Sequence, residues 1–241
     1  MHFLAQAYSN LGKYDQAESL FTKGLEISLR VRGEEHGGTL DFMNDLALLY
    51  HREGKYGQAE PLDVKTLDIR RRLLGEEHPY TLVSMNNLAS LYRREGKLTQ
   101  AETLYTKAME IEQRVLGEKH QFTLLSMAGL ADLYRLEGKH PESEQLGIRV
   151  LGIANRVLGP EHPTTLTMKH NLAELYHDQR RYALAEALFT KVLDARRRVL
   201  GEQHPDTVTT SNELAKNYQD WHKDDNQAKS RQNLGQVNSK P

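Results

Sequence analysis

The chain has 241 residues, 38% hydrophobic and 27% charged, with a formal net charge of -1 and no cysteine. The near-neutral balance gives no general attraction to nucleic-acid phosphates or anionic lipid, and the missing cysteine removes disulfides, thiolate metal sites and cysteine nucleophiles. A soluble protein of a reducing compartment, with the cytoplasm as default and no nucleic-acid partner, is expected.

The opening MHFLAQAYSNLG lacks a basic leader followed by an apolar block. No later run nears the roughly 18 apolar residues of a membrane span, so no membrane association is expected. What organises the chain is a period. Gly33, Gly75, Gly117, Gly159 and Gly201 recur every 42 residues, opening the phrases RGEEHGGTL, LGEEHPYTL, LGEKHQFTL, LGPEHPTTL and LGEQHPDTV. Residues 1–32 therefore read as a partial repeat missing its front, because Leu4-Ala5 registers with Leu46-Ala47. Full repeats follow at 33–74, 75–116, 117–158 and 159–200, and 201–241 reads as a degenerate C-terminal repeat with a polar tail that either caps the array or frays.

Each repeat predicts two helices. In the copy from Gly75, the positions Leu82, Met85, Leu88, Ala89 and Tyr92 recur at helical spacing and form one apolar stripe on helix A. The small residue at Ala47, Ala89, Ala131, Ala173 and Ala215 sits inside that stripe, where helices must approach closely. Gly-Lys steps at Gly54-Lys55, Gly96-Lys97 and Gly138-Lys139 end helix A, since glycine takes the left-handed conformation of a helix stop without steric penalty. Helix B follows with Ala101, Leu104, Tyr105, Ala108, Ile111 and Leu116 on one face. It closes on arginines such as Arg70, Arg71 and Arg72, or Arg196, Arg197 and Arg198, expected as caps favoured by the helix dipole.

Three departures predict local weakness. Arg180 and His222 stand at the turn position that glycine holds elsewhere, and Ser143 with Gly147 predicts a loosened second helix in the fourth repeat. Ala228 arrives one residue late relative to Tyr218.

The repeated phrase could suggest metal or acid/base chemistry through His36, His78, His120, His162 and His204 with their neighbouring glutamates. Spacing opposes it: zinc holds nitrogens about 2.0 to 2.1 Å away, whereas corresponding points on packed helices lie at least roughly 8 to 10 Å apart. The phrase reads as punctuation instead. Gly75 ends helix B, Pro79 suits the first turn of the next helix, the acidic pair lies near its positive end, and His78 sits near the N-cap. No phosphate loop, GxSxG elbow or HExxH pair is present. No catalytic residue, metal or cofactor is expected.

The small residue, tyrosine, Gly-Lys turn and Ala-Glu pair of LASLYRREGKLTQAE resemble the tetratricopeptide (TPR) repeat family. That family's usual period is about 34; the 42-residue unit resembles the variant of kinesin light chains, nephrocystin-3-like proteins and bacterial or fungal signalling proteins. The resemblance implies an all-α, right-handed superhelical solenoid of antiparallel helix pairs, with the A helices lining a concave groove and a role as a protein-protein interaction scaffold or sensor module.

The groove candidates are Asn44, Arg52, Asn86, Asn87, Ser90, Arg93, Arg94, Asp132, Arg135, His170 and Asn171. Two readings of the asparagines stay open: their amides clamp a peptide main chain, or they bond between helices of the stack. Arg52, Arg93, Arg94 and Arg135 lie near one end of consecutive A helices and can hold carboxylates bidentately. The expected partner is an acidic linear peptide in the second to fourth repeats, with an aromatic anchor in the gap beside Ala128 and Gly129. The rivals are a metal-dependent enzyme using the His/Glu loops and a spacer or oligomerisation module with no peptide ligand.

Overall fold

A computed structural model describes the backbone of residues 1–237 and the side chains of residues 1–227. Among the described residues it is all-helical: α1 (His2–Asn10), α2 (Tyr14–Arg32), α3 (Gly37–Glu53), α4 (Tyr56–Leu74), α5 (Pro79–Arg94), α6 (Leu98–Val115), α7 (Gln121–Leu136), α8 (His140–Val157), α9 (Pro163–Asp178), α10 (Tyr182–Leu200) and α11 (Pro205–Val237). The chain divides into two compact units, Met1–Gly138 and Lys139–Pro241, so α7 and α8 of one 42-residue period fall in different units. Within each unit every helix packs against the next in sequence, the layering of a solenoid of antiparallel helix pairs.

The repeated phrase builds the link between pairs. All five histidines are N-caps: the Nδ1 atoms of His36, His78, His120, His162 and His204 accept from the backbone N–H of Gly38, Tyr80, Phe122, Thr164 and Asp206 at 3.0 to 3.3 Å. Each thereby satisfies one of the orphan donors at a helix start. The threonine tightens the same link, with Thr39, Thr81 and Thr123 Oγ1 donating to the carbonyls of Gly33, Gly75 and Gly117 at 2.8 to 2.9 Å.

The Gly-Lys turn is built around a second recurring contact. Gly54, Gly96 and Gly138 take positive φ. The lysine that follows reaches the glutamate of the preceding Ala-Glu pair: Lys55 to Glu18 at 2.7 Å and Lys97 to Glu60 at 3.0 Å. Their ammonium groups sit 5.6 Å from the Tyr50 ring and 5.1 Å from the Tyr92 ring. In the second unit Arg181 takes over, bonded to Glu144 at 2.7 Å and stacked 4.3 Å from Tyr176.

At the turn before α10, Arg180 adopts φ 59 in place of glycine, with its guanidinium bonded to Asp224 at 3.0 Å. The turn expected at His222 does not form. α11 runs straight through it. Ala215, whose counterparts Ala47, Ala89 and Ala173 are wholly buried, is exposed, with no helix folded back over it among the described residues. The tail beyond Gln227, including Ala228, lies outside the described side chains. α8 is nonetheless continuous, and Ser143 is buried in the alanine position. Serine is small enough to fill that seat, and glycine lowers helix stability without breaking the hydrogen-bond ladder.

The arginine runs are not uniform caps. Arg72 and Arg198 are exposed and bond back to Glu35 and Glu161 at 2.5 Å. Arg70 and Arg196 are instead buried. Arg70 donates to Ser84 Oγ at 2.9 Å, the Tyr80 carbonyl at 3.3 Å and Asp41 at 3.0 Å; Arg196 donates to Thr210 Oγ1 at 2.6 Å and the Asp206 carbonyl at 3.1 Å. The sequence position that looks like a helix C-terminus also faces the next helix pair, so these side chains tie layers together.

Candidate functional site

On the A helices of the first unit, α1 and α3 enclose a cleft of about 310 Å³ lined by Gln6, Ser9, Asn10, Phe21, Asp45, Leu48 and Arg52. Phe21 is buried and floors it. At one side Asp45 accepts from Gln6 Nε2 at 2.7 Å and Asn44 Nδ2 at 3.2 Å, with His2 Nε2 at 3.0 Å. At the other, exposed Arg52 reaches Ser9 Oγ at 3.0 Å and Asn10 Oδ1 at 3.5 Å. The cleft therefore sets a cation and an anion on either side of an apolar floor.

Two layers on, Arg93 and Arg135 converge on one carboxylate. Asp132 is almost fully buried, bonded to Arg93 through Oδ2 and to Arg135 Nε through Oδ1 at 2.9 Å. A carboxylate held by two guanidiniums fixes the orientation of both. Arg94 is exposed and Ser90 half-buried.

The asparagines have partners within the stack. Asn87 Nδ2 donates to Asn44 Oδ1 at 2.9 Å, linking α5 to α3, and Asn86 Nδ2 donates to Glu112 Oε1 at 2.9 Å. The gap beside Ala128 and Gly129 is filled by the protein's own Tyr105, because a Cβ added to Gly129 would lie 2.4 Å from that ring. In the second unit His170 is buried, its ring edge-on to Phe189 at 5.3 Å, with Glu174 3.7 Å from Nε2; Asn171 is half-buried. Of the eleven expected residues, Arg52 lines the cleft, Arg93, Asp132 and Arg135 form one cluster, Asn44, Asn86 and Asn87 are inter-helix amides, His170 and Asn171 lie in the second unit, and Ser90 and Arg94 join none of these groups.

Sequence reasoning passed over the buried carboxyls Asp63 and Glu112, and expected the buried Arg70 only as a helix cap. His51 Nε2 meets Asp63 Oδ2 at 2.6 Å, and burial raises the Asp63 carboxyl above its ordinary range while the His51 contact opposes that rise. Arg70 is lowered by burial, with Asp41 opposing. Glu112 has no solvent exposure. The signal for each was register: Asp63 stands where Phe21, Tyr105 and Phe189 stand, and Glu112 lies four residues beyond Ala108 on the apolar face. Among the described residues no group of three or more His, Asp or Glu side chains is placed to hold a metal ion, and no helix is long and apolar enough to cross a membrane.

The tetratricopeptide repeat profile matches residues 1–70, 39–111, 84–156, 123–194 and 164–234. The chain belongs to the tetratricopeptide repeat family. This TPR chain is 28% identical to a kinesin light chain-like protein of Podosopora anserina with nearly identical TPR-like repeats, over 82% of this chain and 93% of that one, at a TM-score of 0.63. It is similar in fold to BtubC (BKLC) from P. vanneervenii, at 19% identity, 95% and 93% coverage and a TM-score of 0.63. It also resembles Rap protein complexed with competence and sporulation factor, at 13% identity, 92% and 64% coverage and a TM-score of 0.61. A comparison with curated protein sequences gives no match. The fold is that of a TPR protein-interaction scaffold.

Proposed function

We propose that this TPR array captures an extended acidic peptide along its A helices, beginning at the α1–α3 cleft. The observation that carries the reading is the cleft itself: an exposed guanidinium, Arg52, beside a floor formed by Phe21 and Leu48. An acidic side chain would replace the Ser9 and Asn10 contacts of Arg52 with a charge-assisted pair, while an adjacent apolar side chain covers Leu48. Further along, Arg94 is available at the surface, and Arg93 and Arg135 are oriented in advance by Asp132. Oriented donors lose less freedom on binding than solvated ones.

Asn44, Asn86 and Asn87 act mainly by setting the spacing between layers, since their amides bond to one another or to Glu112. The solved Rap protein, whose fold this chain shares, is complexed with competence and sporulation factor, which supports a partner-binding use of such arrays. A cytoplasmic, non-enzymatic setting belongs to the same proposal.

The test is fluorescence anisotropy with an array of labelled acidic, neutral and basic peptides, comparing the native chain with an Arg52→Glu, Arg94→Glu variant. Acidic peptides should lose at least about tenfold in affinity, and added salt should weaken what remains. Equal binding by both proteins, or no preference for acidic peptides, overturns the reading.

A further inference from the structure

Where α5, α6 and α7 meet, buried Glu112 and Ser126 close a hydrogen-bonded ring with half-buried Asn86. Asn86 Nδ2 donates to Glu112 Oε1 at 2.9 Å. Ser126 Oγ lies 2.8 Å from Asn86 Oδ1 and is bonded to Glu112 Oε2. Glu112 and Ser126 have no solvent exposure, and each member touches the other two.

Counting protons decides the charge state. An ionised carboxylate and an amide oxygen only accept, and a serine hydroxyl owns one proton. With Glu112 ionised, that proton faces both Glu112 Oε2 and Asn86 Oδ1, as well as the Phe122 carbonyl at 3.3 Å. One ring oxygen is then left without a ring donor, which is costly where that oxygen is Glu112 Oε2, on a residue with no solvent exposure. With Glu112 protonated on Oε2, the carboxyl O–H donates to Ser126 Oγ, Ser126 donates to Asn86 Oδ1, and Asn86 donates to Glu112 Oε1. Every ring acceptor receives one proton, and the bonds run head to tail.

The charged groups on the surrounding helices are directed elsewhere. On α5, Arg93 is held by Asp132 and Arg94 is exposed; on α7, Arg135 is held by Asp132. On α6 itself, Arg114 pairs with Glu77, Lys107 pairs with Glu76, and Glu110 is exposed. The imidazoles of His78 and His120 accept the capping N–H groups of Tyr80 and Phe122.

We propose that Glu112 is a proton-binding site whose uncharged acid closes a clasp between α5, α6 and α7, and that losing the proton opens it. The clasp stands apart from the peptide reading and needs no ligand. It is also particular to one layer. The same register position holds Ser28, Arg70, Ala154 and Arg196 elsewhere, and the two arginines bond to Ser84 and Thr210 with a permanent charge.

Burial pushes the Glu112 carboxyl up from 4.5 to about 7, outweighing the hydrogen bonds that Ser126 and Asn86 give the ionised form. Below 4.5 both folded and unfolded chains hold the proton, and the clasp contributes fully. Between 4.5 and about 7 only the folded chain holds it, so stability falls as pH rises, and above about 7 the loss is complete. The interval from 4.5 to about 7 corresponds to a roughly 300-fold fall in the folding equilibrium across that window.

The experiment combines urea denaturation of the full chain between about pH 5 and 8 with infrared difference spectra of the protonated carboxyl band. Glu112→Gln is the informative variant: its amide can donate to Ser126 and accept from Asn86, so it keeps the ring without titrating. The native chain should lose stability with rising pH and show a carboxyl band that disappears near neutrality; the Gln variant should fold, lack that band and lose this part of the pH dependence. Ser126→Ala should move the midpoint of the native band. A Gln variant that does not fold, an unchanged pH dependence, or a carboxyl titrating in the ordinary range each overturns the proposal.

Discussion

Gly129 and Gly147 occupy interior positions of α7 and α8, yet a methyl group added to each should change stability in opposite directions. Replacing glycine by alanine inside a helix ordinarily stabilises by about 0.5 to 1 kcal/mol, because glycine loses more backbone freedom on folding. At Gly147 the nearest atom to an added Cβ is Leu172 Cδ1 at 3.7 Å, an ordinary contact, so Gly147→Ala should gain about that amount. At Gly129 the added Cβ would lie 2.4 Å from Tyr105 Cε1, 2.5 Å from Cζ and 2.9 Å from Oη. Tyr105 is only 4% exposed, so its ring has little free space to move into. Overpacking of this kind costs about 1 to 3 kcal/mol, which exceeds the helix-propensity gain. Gly129→Ala should therefore destabilise by about 1 to 2 kcal/mol net. Equilibrium denaturation followed by far-ultraviolet circular dichroism measures both. A cycle with Tyr105→Ala locates the cause: in that background Gly129→Ala should cost nothing, giving a coupling of at least about 1 kcal/mol. A Gly129→Ala protein more stable than the native chain, or additive effects in the cycle, would refute the steric argument.

Other positions test the packing and the buried charges. Ala89 is completely buried between helices, so Ala89→Leu should cost about 1 to 3 kcal/mol, read as a lower melting temperature. His51→Leu leaves the buried Asp63 carboxyl without its partner and should cost about 3 to 5 kcal/mol in urea denaturation. The double replacement His51→Leu, Asp63→Leu should recover most of that loss, because the unpaired charge rather than the volume is responsible.

The helix pairs were legible because their signals are local and repeated. One glycine, one histidine and one threonine per period state where a helix stops and the next begins, and five copies in register make the reading redundant. The candidate site was legible only as a face. Register located Asn86, Asn87 and Arg93 on the A helices, but register alone cannot distinguish an amide turned toward solvent from one bonded to Glu112 or Asn44. It also suggested a gap at Gly129, since a missing side chain reads as empty until the ring of Tyr105, 24 positions earlier, is placed in it. His222 was read as a turn by alignment with glycines, although among the described residues α11 continues straight through it.

By itself the sequence determined the period, the helix ends, the apolar stripes and the family, all of which depend on residues within a few turns of one another. Tertiary structure decided which polar residues are spent inside the stack: Arg70 tied to the next pair, Asp132 held between two arginines, and Glu112 closed in a ring with Asn86 and Ser126. The physical reason is that a buried polar group is stable only through its partners, and these partners lie on other helices, where the chain's periodicity says nothing about which atom meets which.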